Sequence, residues 1–494
     1  EEIYRIFMKL LCEYMKKIFG KYFIFLENLY MDLNCLRDSS ASWADKLVFT
    51  VFLIAIIFAL ICLFRILRLI LGFLCSLFVS LPISLLISWR NKRAKNKIKL
   101  IQQNSENLTN VISKIQYFDC IGMSSSKTFI PAKLNFQNHC SSKLWNPFFD
   151  ILRKDDTFQK MLDDYTLYPP FVLRRVKKAS TKRYTMDSNS WAFVSGGSGG
   201  IGSHISAILA TCGIPIIIFG RNIEKLAQVA LRAAIEGVSV RIIRMDVVES
   251  SSMVSKSTSI VSKMLFDGET HIPRYIEIFD RLLNEYDIRM IYLNAGGGEF
   301  TVFESLSHSV IQNQIDLNYT CQVHMAKYFM RKLSITRKKM GLKHVGNITF
   351  TSSILGEAPL PLISLYSSNK HAITGLARAL YSEYINSGID IGCGCPGTVS
   401  KTSFYKRSLT KKRLQRSNII VRNMESLTGS HADDVAGQLV TCAFKDKQST
   451  KHIGIFSKGV HLFQALFGWK ILELCENIAF GRMIKNERVL IDEK

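Results

Sequence analysis

Hydrophobic positions fall into two kinds of pattern in this chain: one long apolar block near the start, and short apolar runs that recur through the second half. Residues 47–89 are nearly continuous hydrocarbon, interrupted by Arg65 and Arg68. One bilayer crossing takes about 20 apolar residues, so the block exceeds a single simple span. Residues 47–64 suit one crossing, and residues 69–89, with Pro82, suit a return, a re-entrant segment or an interfacial helix. Ahead of the block, residues 3–30 mix Tyr, Phe, Leu and Ile with Lys9, Lys16, Lys17 and Lys21. That pattern suits an amphipathic helix on a membrane or against a partner.

The later runs, 191–194, 214–219, 240–245, 288–293, 345–351, 389–395 and 451–456, read as strands. Segments of helical spacing, such as 201–209, lie between them. Strands alternating with helices predict an α/β fold with a doubly wound parallel sheet and a site at the carboxyl ends of its strands. Residues 250–287 exceed what one helix needs, so a surface insertion is expected there. Ser430-His431-Ala432-Asp433 reads as a capping box opening a helix.

A glycine-rich turn, Ser195-Gly196-Gly197-Ser198-Gly199-Gly200-Ile201-Gly202, sits between the first of these strands and its helix. In that strand–turn–helix context the pattern points to a dinucleotide and to a Rossmann sheet. Gly196 permits the tight turn, and Gly200 and Gly202 allow a pyrophosphate close to the helix N-terminus. The second strand ends in Gly220-Arg221-Asn222. A carboxylate there would bind a ribose 2′-hydroxyl; Arg221 instead favours a 2′-phosphate, hence NADP(H). Asp246, after the third strand, is placed to accept from the adenine amino group. Tyr366 and Lys370 stand at i and i+4 on one helix face. An ammonium there lowers the phenol pKa, and such a phenol can protonate a carbonyl oxygen as hydride attacks its carbon.

Together with Asn294-Ala295-Gly296, Asn318, Ser353 and Pro396-Gly397, these residues resemble the short-chain dehydrogenase/reductase family over about residues 190–457. The resemblance implies that Tyr366 is the general acid and that Lys370 tunes it while binding the nicotinamide ribose. It implies that Ser353 holds the substrate carbonyl and that Asn318 positions a water relaying protons through Lys370. The implied cofactor contacts are Ser195 (where the family has Thr), Gly196, Ser198, Gly200, Ile201, Gly202, Arg221, Asp246, Asn294, Gly296, Tyr366, Lys370, Pro396 and Thr398, with no metal. Within the family, Gly356-Glu357-Ala358-Pro359-Leu360-Pro361-Leu362 is similar to the stretch before the tyrosine in membrane-bound 3-ketoacyl-CoA reductases, which are also 17-beta-hydroxysteroid dehydrogenase-like. Lys370-His371-Ala372-Ile373-Thr374-Gly375-Leu376-Ala377 is equally similar to 3-ketosphinganine reductases. The implied reaction is NADP(H)-dependent reduction of a lipid ketone: a 3-ketoacyl-CoA of fatty-acid elongation first, then 3-ketosphinganine, then a steroid or retinoid. A membrane-tethered NADP(H)-binding scaffold is the alternative without catalysis, and the intact Ser353, Tyr366 and Lys370 set argues against it.

Charge sharpens the expected partners. The 494 residues carry 64 Lys and Arg against 40 Asp and Glu, a net +24. No nucleic-acid-binding signature accompanies that excess, so an anionic membrane surface or substrate is the expected partner. Residues 401–424 hold eight Lys and Arg and no acid, a run suited to CoA phosphates or lipid headgroups. Arg90, Lys92, Arg93, Lys95, Lys97 and Lys99 follow the apolar block at once, which places the rest of the chain on the cytosolic side, with the endoplasmic reticulum as the expected membrane. The twelve cysteines are scattered, and Cys393-Gly394-Cys395 lacks a second pair, so reduced core thiols are expected. Residues 460–484 read as an amphipathic helix docked on a membrane or on a second copy, making a homodimer a candidate assembly. The expected organisation is an amphipathic region (1–46), a membrane segment (47–89), a basic irregular linker (90–188), the Rossmann domain (189–457) and a C-terminal amphipathic helix (458–494).

Overall fold

The computed structural model describes residues 95–96, 110–120, 151, 154–163, 165–251, 253–255, 271–400, 402, 429–444, 450–468, 470, 473, 481 and 484. The amphipathic start, the membrane block and all but one residue of the basic run 401–424 lie outside these residues. Among the described residues, no helix is long and apolar enough to cross a membrane.

The core is one sheet of eight strands. In chain order they are β1 (Ile115–Asp119), β2 (Ser190–Ser195), β3 (Ile216–Gly220), β4 (Val240–Arg244), β5 (Asp287–Leu293), β6 (Gly346–Thr351), β7 (Ile389–Pro396) and β8 (Thr450–Ile453). Their order across the sheet is β1-β4-β3-β2-β5-β6-β7-β8, and every neighbouring pair is parallel. The chain reverses direction of travel between β2 and β5, and a crevice forms there at the carboxyl ends of the strands. A parallel sheet covered on both faces needs apolar side chains on both. Alternate residues do so here: Val194, Ile216, Ile218 and Tyr292 pack on one face, and Phe193, Ile217, Phe219 and Ile291 on the other. Helices Gly200–Thr211, Ile223–Ile235 and Ala432–Val440 cover the first face; Arg274–Leu283, Cys321–Met340 and Ser364–Glu383 cover the second.

Two expectations are corrected. Residues 90–188 are not simply an irregular linker, since Ile115–Asp119 adds a parallel edge strand beside β4. Helices Asp155–Asp163 and Pro170–Lys178 also send Met161, Leu162, Val172 and Val176 into the core. The strand is five residues with Gln116 and Asp119 only half-buried, too short and too polar to stand out by pattern. Arg183 and Tyr184 fasten this upstream segment to Asp390 at the start of β7, through Arg183 Nη2 at 2.8 Å and the Tyr184 hydroxyl at 2.7 Å. Second, Ser430 forms no capping box: the helix is capped by His431 with no side-chain hydrogen bond, and Ser430 pairs instead with Val399 in a short parallel ladder. Val460 and Phe463 of the C-terminal helix pack on this chain's own Ile354 and Ala358, while Leu466 and Phe467 face outward. The expected insertion is present as an antiparallel pair, Met253–Ser255 with His271–Pro273. The described cysteines are all free thiols, buried except Cys212.

Candidate active site

A cleft of about 950 Å³ opens at the carboxyl ends of β2, β3, β5 and β6. Of the residues expected at the site, all line it except Ser195, Gly202 and Asn318. Those three stand behind the wall and shape it. The Ser195 hydroxyl is fully buried and accepts from the Asn294 and Ala295 amides at 2.9 and 3.1 Å, tying the end of β2 to the turn after β5. A Cβ on Gly202 would lie 2.2 Å from the Gly196 carbonyl oxygen and 2.8 Å from Asn294 Nδ2, so only glycine lets the helix start this close to the turn. Gly196 itself has φ +64°, a left-handed conformation glycine adopts without strain.

At the far end of the turn, Arg221 Nη1 donates to Asp246 Oδ2 at 2.9 Å. Asp246 Oδ1 accepts from the Val248 amide at 2.9 Å. Both carboxylate oxygens are thus engaged before any adenine arrives. Arg221 remains 58% exposed, Lys225 joins it on the cleft wall, and Arg244 donates Nε to the Arg221 carbonyl at 3.3 Å. The mouth there is positive.

Tyr366 and Lys370 lie in the first two turns of the helix Ser364–Glu383. Lys370 is 2% exposed, and its Nζ sits 5.5 Å from the Tyr366 ring centroid. Nζ donates to the Thr351 carbonyl at 2.8 Å, at the end of β6. Ser352 Oγ and Thr374 Oγ1 hold the Lys370 carbonyl, each at 2.9 Å. Burial pushes the Lys370 ammonium down to about 8 from its usual 10.5. Ser353 caps a short 3-10 turn, its Oγ accepting from the Leu355 amide at 3.2 Å on the cleft wall.

Asn318 lies in a π-turn, Asp316–Thr320, inserted between helices His308–Ile315 and Cys321–Met340. Such bulges recur at functional sites. The extra residue turns a fully buried amide onto Gly297: Oδ1 accepts from its N–H at 2.9 Å and Nδ2 donates to its carbonyl at 2.7 Å. The Asn318 carbonyl accepts from Gln322 at 3.1 Å. The side chain therefore clamps the strip 296–298. A Cβ on Gly296 would lie 3.2 Å from Lys370 Nζ, and one on Gly298 would lie 2.8 Å from Tyr366 Cβ.

Gly298 and Gln314 were not visible as site residues in the sequence. Gln314 is buried on the cleft wall, and neither its Nε2 nor its Oε1 has a hydrogen-bond partner among the described residues. Its place one helical turn before Asn318 was the available signal. Such an orphaned buried amide fits a bound polar group. The substrate-side wall is apolar, formed by Phe300, Ile354, Leu355, Leu360 and Phe456. Leu362, buried behind it, holds φ +66° and accepts from the Thr301 amide at 2.7 Å. Strained backbone of this kind persists where the surroundings over-determine it.

Residues 190–272 and 269–413 match the family model for the short chain dehydrogenase. The two pieces overlap at residues 269–272, beside the second strand of the inserted antiparallel pair. A dehydrogenase/reductase SDR family protein 7-like protein of Dictyostelium discoideum is 24% identical over 261 residues, 51% of this chain and 72% of that one. The 17-beta-hydroxysteroid dehydrogenase type 3 of Mus musculus is 27% identical over 242 residues, 48% of this chain and 70% of that enzyme. Among solved structures, a short-chain dehydrogenase from Sphingobium yanoikuyae in complex with NADPH is similar at 20% identity and a TM-score of 0.40, covering 53% of this chain and 87% of that one.

Proposed function

We propose that this chain, matched through residues 190–413, is a short-chain dehydrogenase that reduces a lipid ketone to the alcohol with NADPH. The observation that carries this reading is the Tyr366–Lys370 pair at the base of a cleft whose glycine end can take a dinucleotide and whose other wall is apolar. The cradle fits the cofactor: the turn 196–202 tolerates no Cβ at Gly202, the mouth at Arg221 and Lys225 is positive, and among the described residues the buried Gln314 side-chain amide has no partner. Gly196, Ser198, Gly200 and Ile201 would hold the pyrophosphate, Arg221 the 2′-phosphate, and Asn294, Lys370, Pro396 and Thr398 the nicotinamide half. Bound there, the cofactor supplies hydride. Asp246 would orient Arg221 as well as meet the adenine edge.

The chain's own residues do the rest. Ser353 hydrogen-bonds the substrate carbonyl and fixes its face. Tyr366 delivers a proton to the carbonyl oxygen as that oxygen gains charge. The Lys370 ammonium, fixed by Thr351, stabilises the phenolate left behind. Asn318, by holding Gly297, keeps Lys370 and Tyr366 in register, and a water at this end returns the proton. Apolar walls from Phe300 to Phe456 exclude solvent and take the hydrocarbon of the substrate.

For the substrate we propose a long-chain 3-ketoacyl-CoA, with the basic run 401–424 meeting the CoA phosphates and the enzyme anchored by 47–89 in the endoplasmic reticulum, its catalytic domain in the cytosol. The support is in the sequence: the stretch 356–362, the apolar block and the basic cluster behind it. A steroid ketone is the second reading, favoured by the similarity to 17-beta-hydroxysteroid dehydrogenase type 3. An NADPH-oxidation assay comparing 3-ketopalmitoyl-CoA, 3-ketosphinganine and a 17-ketosteroid separates them, with the acyl-CoA expected to have the highest kcat/KM. Tyr366→Phe is expected to lower kcat by about 10²–10⁴ and to leave NADPH binding, read by fluorescence, nearly intact. NADPH binding with no turnover of any of the three ketones would favour the scaffold reading.

A further inference from the structure

On the outer side of the substrate wall, three side chains from separate segments converge. Glu357 follows the Ser353 turn, His452 lies in β8, and His461 lies in the helix 455–468. Glu357 Oε2 is 3.3 Å from His452 Nε2 and 3.9 Å from His461 Nδ1. The two imidazoles stack with centroids 3.9 Å apart and planes 17° from parallel. All three donor atoms lie within 4.8 Å of one another. The Glu357 and His452 side chains are 10% and 15% exposed, and that of His461 is 37% exposed, so the cluster has a closed side and an open one.

The surrounding hydrogen bonds hold the outer atoms of the cluster and leave its inner donor atoms near one another. Arg378 Nη2 holds Glu357 Oε1, leaving Oε2 for the histidines. Ser457 Oγ donates to the Cys395 carbonyl at 2.8 Å, so its remaining capacity toward His452 Nδ1, at 3.5 Å, is as an acceptor. His452 Nε2 faces Glu357 Oε2 at 3.3 Å. That contact is bridged either by a proton on Nε2 or by a cation between the two atoms.

We propose that Glu357, His452 and His461 form a divalent-metal site, suited first to Zn²⁺, which braces the helix 455–468 against the substrate wall. Two imidazoles and one carboxylate with an open position are a zinc donor set, and bonds of about 2.0–2.2 Å place tetrahedral donors roughly 3.3–3.5 Å apart. The Glu357–His452 separation already matches, and His461, the most exposed of the three, would turn its ring out of the stack to bring Nδ1 to the same ion. Arg378 on the second carboxylate oxygen and Ser457 behind His452 are the outer partners that ligands of this kind carry. Phe456, Val460 and Phe463 of the same helix pack on Ile354 and Ala358, and Ile354 and Phe456 line the cleft. The site is therefore structural and distinct from the Tyr366 chemistry.

The test uses the full-length protein, stripped with chelator, reloaded with Zn²⁺ and desalted before metal analysis, with Co²⁺ absorption as a second probe. One Zn²⁺ per chain is expected, together with a visible Co²⁺ band of a tetrahedral nitrogen–oxygen site. His461→Ala and Glu357→Gln should each weaken Zn²⁺ at least tenfold. His461 is the more exposed ligand, so its variant should fold and bind NADPH as the parent does. Zn²⁺ should also slow proteolysis within 455–468 in the parent and not in His461→Ala. Failure to retain Zn²⁺, or equal retention by both variants, overturns the proposal and leaves the reductase reading untouched.

Discussion

At the glycine end of the cleft the tolerances are set by backbone: a single Cβ at Gly202 would sit 2.2 Å from a carbonyl oxygen, and one at Gly196 would sit 2.9 Å from Ala295 Cα. At the other end the wall is made of side chains from β5's exit, the Ser353 turn, the strained Leu362 turn and the C-terminal helix. The first region leaves almost no freedom of residue type and accepts one chemical shape. The second accepts many apolar residues at modest cost, and its shape depends on how four distant segments meet. Cofactor handling is for that reason the rigid property of this enzyme, and substrate choice the adjustable one.

Gly202→Ala should break the rigid end most severely. Relieving the clash requires moving the turn away from Asn294, and a stability loss of at least about 2 kcal/mol is expected, read as a lowered Tm with NADPH binding lost. A fully active Gly202→Ala protein would show that the turn is looser than its geometry.

Arg221→Ala tests the same end more gently. Losing one charge-assisted hydrogen bond of on the order of 2 kcal/mol should weaken NADPH about thirtyfold and leave NADH nearly unchanged. Equal losses for both cofactors would mean that Arg221 serves mainly to hold Asp246.

Between the two ends stands Lys370. Its pKa is lowered to about 8 in the fold, so the ammonium is present below that pH and lost above it. With the charge gone, Tyr366 has a poorer electrostatic partner, and kcat/KM for reduction should fall about tenfold per pH unit above pH 8. Linkage has a definite sign here. Between pH 8 and 10.5 the unfolded chain holds a proton that the folded chain has released, so the destabilising contribution of burying Lys370 is full below pH 8 and disappears as pH rises through that window. A reduction rate that is flat to pH 10 would remove Lys370 from the reaction.

The smallest effect belongs to the adjustable end. Leu360 is half-buried on the cleft wall, and Leu360→Ala should raise KM for a long-chain ketone about five- to tenfold, from roughly 1 kcal/mol of lost apolar contact. NADPH affinity should not move. A parallel loss of cofactor affinity would merge the two ends into one.

What the sequence determined by itself is what depends on residue type at close spacing. The glycine turn, the i, i+4 pairing of Tyr366 with Lys370, and the alternation of strands with helices are local, and each announces its chemistry without reference to distant residues. Asn318 was legible as a site residue, yet its clamp on Gly297 was not, because a π-turn and a contact 21 residues away create it. Ser195 was read as a cofactor contact, and the fold turns its hydroxyl instead into the bolt between two strand ends. Only the tertiary structure decided that Ile115–Asp119 belongs to the sheet, since its strand partner lies more than a hundred residues downstream. It alone brought Glu357, His452 and His461 together, and it alone left the Gln314 side-chain amide in the cleft without a partner among the described residues. Spacing along a chain encodes contacts within a turn or a helix; contacts between segments are set by how whole faces pack, and no short window of sequence contains that information.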